Sequence, residues 1–171
     1  IENYQQALTL YRKLGKEDRV ASSLINIGGA YKYWGKYDKA MENYQQALTL
    51  SRKLGNEETI ASSLNNIGGV YNAWGQYDKA MENHQQALAI ARRLGKEENV
   101  ASSLIDIGTV YRSWGQYDKA MENYQQALAL HRKLGKEYLI ASSLDSIGGV
   151  YRSWGQYDKA MENYQQALAL H

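Results

Sequence analysis

The sequence predicts an all-α fold, a solenoid of antiparallel helix hairpins, and three observations carry that prediction. The segment from Ala21 to Leu54 returns with few changes at Ala61 to Leu94 and at Ala101 to Leu134, and again in shortened form from Ala141 to His171, a period of 40 residues. Within each copy the apolar residues fall at helical spacing. A glycine follows each apolar run. A period of this length with helical patterning means units whose apolar faces only a neighbour can cover, so function must sit on the surface of the stack.

The first helix of each unit, helix A, is drawn by Val20, Leu24, Ile27, Tyr31 and Trp34, whose steps of 4, 3, 4 and 3 put them on one face. Gly35 follows directly, as do Gly75, Gly115 and Gly155, where a positive φ ends a helix without a Cβ penalty. Helix B is drawn by Tyr37, Ala40, Met41, Tyr44, Ala47, Leu48 and Leu54 and is closed by Gly55. A turn this short between two helices makes an antiparallel hairpin. Asp38, Asp78, Asp118 and Asp158 lie in the first turn of helix B, with Arg52 and Lys53 or Arg92 and Arg93 in its last, each sign matched to the helix dipole. No proline interrupts any of these runs. The expected organisation is a single array, with an orphan helix B over 1–14 and hairpins over 18–54, 57–94, 97–134 and 137–171. Ile1 stands where Met41, Met81, Met121 and Met161 stand in later copies, and the last helix stops short of the glycine that closes its counterparts. The chain therefore reads as a piece of a longer array.

Bulk composition narrows the function classes. The 171 residues carry a net charge of +2, with acidic and basic residues interspersed, so no basic field points to nucleic acid and no basic amphipathic segment points to a membrane surface. There is no cysteine, which removes disulfides, thiolate chemistry and zinc knuckles together. Apolar runs are far below membrane-span length and no secretory signal opens the chain, so a cytoplasmic protein is expected.

These residues resemble the tetratricopeptide repeat. Its helix A pattern is met by Leu64, Ile67, Gly68 and Tyr71, and its turn and helix B pattern by Gly75, Tyr77, Ala80, Ala87 and Leu88, with His84 where an aromatic is usual. The usual unit has about 34 residues, and the six extra here, such as Gly95 to Val100, lengthen the helices around the turn between units. Such long units are similar to those of Pins-type cell-polarity adaptors, kinesin light chains and bacterial signalling proteins that append the array to an ATPase or protease domain. The resemblance implies a right-handed superhelix whose concave wall is made by the A helices, holding an extended or helical peptide from another protein.

Small residues have a packing reason of their own. Gly28, Gly68, Gly108 and Gly148 fall at one site of helix A, where a side chain would hold helix B away; Ala40 and Ala47 do the same from helix B. A glycine inside a helix costs roughly 1 kcal/mol against alanine, so its return in every copy implies an offset from close packing.

With units this alike, the positions that differ between copies are the informative ones. In helix A they are Ile25, Asn65, Ile105 and Asp145; Asn26, Asn66, Asp106 and Ser146; Gly29, Gly69, Thr109 and Gly149; Lys32, Asn72, Arg112 and Arg152; and Tyr33, Ala73, Ser113 and Ser153. They fall between the apolar positions and are expected to face away from the core, where ligand selectivity or simple drift gives the same pattern. The candidate peptide-binding set is Asn26, Lys32, Asn65, Asn66, Asn72, Asp106, Arg112, Asp145 and Arg152. An asparagine both donates and accepts, so Asn26 and Asn66 suit a peptide backbone. In the kinesin light-chain type, asparagines at these two positions do that work, whereas Asp106 and Ser146 break the ladder. The second asparagine ladder of the polarity adaptors is absent, because Ile27 to Gly29 reads Ile-Gly-Gly. Gly29, Gly69 and Gly149 leave either bare backbone open to a ligand or merely a tolerated small residue. Lys32, Arg112 and Arg152 form a basic line suited to an acidic peptide, or a solvating one.

Trp34, Trp74, Trp114 and Trp154 are expected to pack against Tyr37-type residues across the turn. His84 replaces a core tyrosine, while His131 and His171 share one site on successive B helices. With no Cys and no His-x3-His pair, no metal site and no cofactor are expected. Ser22 and Ser23, present in every copy, are expected on the solvent side, with no histidine at a fixed partner position. No catalytic residue is assigned and the chain is not expected to be an enzyme. The expected partner is a protein or peptide, with neither nucleic acid nor membrane. The alternative is a self-associating solenoid stacking head-to-tail through uncapped terminal helices, or a consensus-like engineered array.

Overall fold

The computed structural model describes residues 2–170, and among these the chain forms nine α-helices and no strand. They are α1 (Glu2–Lys13), α2 (Glu17–Tyr33), α3 (Tyr37–Leu54), α4 (Glu57–Ala73), α5 (Tyr77–Arg93), α6 (Glu97–Ser113), α7 (Tyr117–Leu134), α8 (Glu137–Ser153) and α9 (Tyr157–Leu168). Even-numbered helices are of type A and odd-numbered ones of type B. Ile1 and His171 lie outside the described residues.

Every turn is built alike. Glycines 15, 35, 55, 75, 95, 115, 135 and 155 all have positive φ, from +65° to +77°. At Gly35 the amide reaches the carbonyl of Lys32 at 3.0 Å and the amide of Lys36 reaches that of Tyr31 at 2.9 Å, the paired bonds of a Schellman motif. Any side chain there would force an L-residue into the left-handed region. Each of α1 to α8 therefore stops at its glycine, and the next helix begins two residues after it. Only Asn56, among the helix starts with a described cap, adds a side-chain acceptor, to the amide of Thr59 at 3.1 Å.

Two compact units are distinguished, residues 1–90 and 91–171. In the first, α2 lies between α1 and α3: Leu8 of α1 meets Val20, Leu24 and Ile27 of α2 and Ala47 of α3. The other face of α3, with Ala40, Met41 and Tyr44, meets Ile67 and Val70 of α4. Ala61 and Leu64 of α4 then cluster with Ala87 of α5. In the second unit a cluster joins Met121, Tyr124 and Leu128 of α7 to Leu144, Ile147 and Val150 of α8 and Ala167 of α9. Each buried leucine or isoleucine contributes roughly 1.5–3 kcal/mol against leaving it exposed.

The hairpins close on the glycines that the repeat pattern singles out. A Cβ on Gly28 would lie 2.6 Å from Cε1 of Tyr44, and one on Gly108 2.9 Å from Cε1 of Tyr124. Gly68 and Gly148 face the rings of His84 and Tyr164 in the same way, at 2.7 Å. At the open end of the hairpins, Lys53 of α3 pairs with Glu17 of α2 at 3.0 Å, and Lys133 of α7 with Glu97 of α6 at 2.5 Å. Such exposed pairs contribute up to about 1 kcal/mol each.

Several sequence expectations need correcting. Trp34 and Leu54, placed in the apolar faces, are exposed. Ser23, Ser63, Ser103 and Ser143 are buried rather than on the solvent side, because a small hydroxyl fits between helices and can satisfy itself on the preceding turn, as Ser63 Oγ does by donating to the carbonyl of Thr59 at 2.8 Å. The column of Ile25, Asn65 and Ile105 turns toward the core, since Ile25 and Ile105 pack against buried clusters, whereas Asp145 is exposed.

Adjacent glycines in α2 predict opposite outcomes. Gly28→Ala drives a methyl into a ring that is itself fully buried, and is expected to lose about 1–3 kcal/mol. Gly29→Ala meets only the Tyr44 hydroxyl, at 3.8 Å, and is expected to gain up to about 1 kcal/mol of helix propensity. Urea denaturation followed by far-UV circular dichroism reads both; equal shifts for the two variants contradict the packing account.

Candidate functional site

The helix A face left over after packing is the candidate surface. Between α2 and α4 it holds a depression of about 270 Å³ lined by Ser22, Ile25, Asn26, Glu58, Thr59 and Ser62. Asn26 is exposed there. Asn66, half-buried, donates from its side-chain amide to the carbonyl of Ser62 at 2.9 Å, one turn back on its own helix. Asn72 is also half-buried, and its side-chain oxygen is buried with no hydrogen-bond partner. Lys32 and Arg112 are half-buried, Asp106 likewise, and Asp145 and Arg152 are exposed.

One candidate position proves to be coupled to helix B. Asn65 Oδ1 accepts a hydrogen bond of 3.2 Å from His84 Nδ1, and His84 is only 2% exposed. His84 therefore stands where Tyr44 and Tyr124 stand in their hairpins, and Asn65 stands where Ile25 and Ile105 do. A shorter polar ring in place of tyrosine needs a polar partner in place of isoleucine, so the two departures from the repeat form one packing unit. Burial, helped by the Lys32 charge, pushes His84 down to about 4. His131 is buried too, its Nδ1 at 2.8 Å from Ser143 Oγ, and burial lowers it as well.

Other hydroxyls show how the columns interlock. Tyr124 OH is 2.9 Å from Thr109 Oγ1, whose hydroxyl also lies 2.9 Å from the carbonyl of Ile105. Tyr44 has glycine at the matching site, Gly29, and its hydroxyl is buried with no hydrogen-bond partner. Burial pushes the Tyr44 phenol up to about 12, so it stays a neutral donor.

A family-model comparison decides what this arrangement is. The tetratricopeptide repeat model matches residues 1–53, 59–133 and 115–171. The chain belongs to the tetratricopeptide repeat family. Its repeats are of the kind that serve as protein-interaction scaffolds, a fold that is typically non-enzymatic. No curated protein sequence matches the chain. Among solved structures, BtubC from P. vanneervenii is 25% identical with a TM-score of 0.79, over 98% of this chain and 73% of that one. A kinesin-light-chain-like protein from P. anserina with nearly identical TPR-like repeats is 24% identical with a TM-score of 0.69, over 99% and 84%. A Rap protein complexed with competence and sporulation factor is 21% identical with a TM-score of 0.83, over 99% of this chain but 49% of that one. Among the described residues of these tetratricopeptide repeats, no helix is long and apolar enough to cross a membrane.

The tryptophans of the repeats pack, with partners other than those expected. Tyr31 of α2 and Trp34, which caps that helix, make an edge-on pair at 6.5 Å, as Tyr71 of α4 and its cap Trp74 do at 5.9 Å. Trp154 instead meets Tyr117, from the preceding hairpin, at 5.9 Å. A contact missed in the sequence is the lysine in the first turn of helix B: Lys39, Lys79, Lys119 and Lys159 each lie over the tyrosine of their own helix A, at 5.4–5.5 Å from the ring centre. Its signal was present, since this lysine and this tyrosine recur together in all four hairpins.

The His84 and Asn65 pair makes two predictions. Asn65→Ile and His84→Tyr are each expected to destabilise the protein, and the double variant to recover most of the loss, with a coupling above about 1 kcal/mol in a double-mutant cycle. A histidine whose folded pKa lies below its unfolded one is charged first in the unfolded chain, so stability is lost as pH falls from about 6.5 toward 4. His84 should account for about 3 kcal/mol of that loss, and His84→Tyr should flatten the profile down to the share carried by His131.

Proposed function

We propose that the A-helix wall holds an extended or helical peptide from another protein, making the chain an adaptor module. The observation that carries the reading is the depression between α2 and α4, which is lined in part by Ile25 and Asn26, two of the positions that vary between copies, while helix B scarcely changes. Asn26, Asn66 and Asn72 supply main-chain hydrogen bonds to the peptide, Lys32, Arg112 and Arg152 favour its acidic groups, and Asp106 and Asp145 tune selectivity by repulsion. Asn65 contributes by setting His84 beneath the wall rather than by reaching the ligand. A Rap protein of similar fold was solved in complex with competence and sporulation factor, which supports a partner-holding role for such a fold. A cytoplasmic location suits this role.

Affinity capture followed by mass spectrometry tests the proposal with two variants of equal helicity. Asn66→Ala with Arg112→Ala is expected to lose the partners that the parent protein retains, whereas Gln45→Ala with Gln85→Ala, on exposed positions of helix B, is expected to keep them. Undiminished capture by the wall variant overturns the proposal.

A second reading, self-association through the terminal helices, is favoured by one comparison. Met121 is 9% exposed on α7, whereas Met161, its counterpart on α9, is 58% exposed, and Leu168 is exposed beside it. Leu10 and Leu14 are likewise exposed on and just after α1. Light scattering across a concentration series is expected to show mass rising with concentration, and Met161→Glu to suppress the rise; a constant monomer mass ends this reading.

A further inference from the structure

The two glycines left without an assigned purpose, Gly69 and Gly149, are occupied by cations from the preceding A helix. A Cβ on Gly69 would lie 2.7 Å from Nζ of Lys32, and one on Gly149 would lie 2.6 Å from Nη1 of Arg112. The contact occurs once in each compact unit, from α2 to α4 and from α6 to α8. In both cases the end of the long side chain reaches the next A helix over a glycine, where no side chain lifts it away. Neither Lys32 nor Arg112 takes part in an ion pair among the described residues, although both are half-buried. A cation partly withdrawn from water and given no counter-charge is the arrangement that a ligand carboxylate completes.

The sequence shows the same pairing of residue types. The position 37 residues after Lys32 is glycine, and so is the position 37 residues after Arg112, but 37 residues after the shorter, uncharged Asn72 stands Thr109. We propose that Gly69 and Gly149 are seats that hold Lys32 and Arg112 flat on the A-helix wall, fixing where the carboxylates of an acidic peptide are read. They are positioning residues, acting through the cations. The inference rests on the peptide-binding role of the wall and on the acidic preference proposed for it, and it adds the two glycines that position the cations.

The fold accepts threonine at this position of helix A, as Thr109 shows, so Gly69→Thr and Gly149→Thr test the seats without unfolding the hairpins. The first measurement needs no ligand. Lys32 is expected to react with an amine-acylating reagent several-fold more slowly than exposed Lys16, and Gly69→Thr to raise its rate toward that of Lys16 by peptide mass spectrometry. An unchanged rate overturns the seat, whatever the wall binds. The second uses fluorescent hexaglutamate as probe. The double threonine variant is expected to bind it roughly tenfold more weakly, a loss of about 1.4 kcal/mol, matching Lys32→Ala with Arg112→Ala. Loss in the alanine variant alone overturns the seats and leaves the basic wall standing. No binding by the parent protein, or equal binding by all three proteins, overturns the acidic ligand class and with it the basic share of the peptide-binding reading.

Discussion

The close approach of helix A to helix B within a hairpin depends on one missing atom. A Cβ at residue 28, 68, 108 or 148 would sit within 2.6–2.9 Å of an aromatic or imidazole ring on the facing helix. That distance is below any real carbon contact, and the rings of Tyr44 and Tyr124 are almost wholly buried and have nowhere to move. The alanines that accompany the glycines, such as Ala40 and Ala47, let the helix B backbone come equally close. Helix-interior glycine lowers helix propensity, and the packing it permits is what offsets that loss. Once the hairpin is closed, the stacking of one hairpin on the next follows from the apolar face that each leaves uncovered.

That closure also divides the molecule into a constrained side and a free one. The B helices are consumed by packing on both faces, by the cation–π contact of Lys39-type residues with Tyr31-type residues, and by ion pairs such as Lys53 with Glu17. Their sequence scarcely changes from copy to copy, at exposed positions such as Gln45 and Gln85 as well as at packed ones. Each A helix keeps a strip of exposed or half-buried positions, such as Asn26, Asn66, Asp106 and Arg152, and much of the variation between copies falls there, the Ile25 column apart. Lys32 and Arg112 lie across that strip over glycines, so the charge on the wall is displaced by one hairpin from the residue that supplies it.

His84 shows how a repeat absorbs a departure from its own pattern. Its ring still faces Gly68, and its Nδ1 finds Asn65 where the other hairpins offer isoleucine. His131 and Ser143 form a comparable buried pair in the second compact unit, at a site where α3 has Ser51 bonded to its own helix. Each exchange gives the Nδ1 of the ring a partner on the neighbouring helix, while His131 Nε2 stays buried without one.

By itself the amino-acid order determined the helices, their glycine stops, the pairing into hairpins and the purpose of Gly28 and its counterparts. These rest on spacing along one chain and on backbone conformation, both of which are local and repeat four times. Only the tertiary structure decided which side Ser23 faces, that Asn65 serves His84, that Trp154 packs on Tyr117 of the preceding hairpin, and that Gly69 and Gly149 carry cations. Those contacts join residues on different helices, and their direction depends on the rotation of one helix against the next. A difference of a few tens of degrees in that rotation, invisible to apolar periodicity, turns a small residue such as serine from solvent to core.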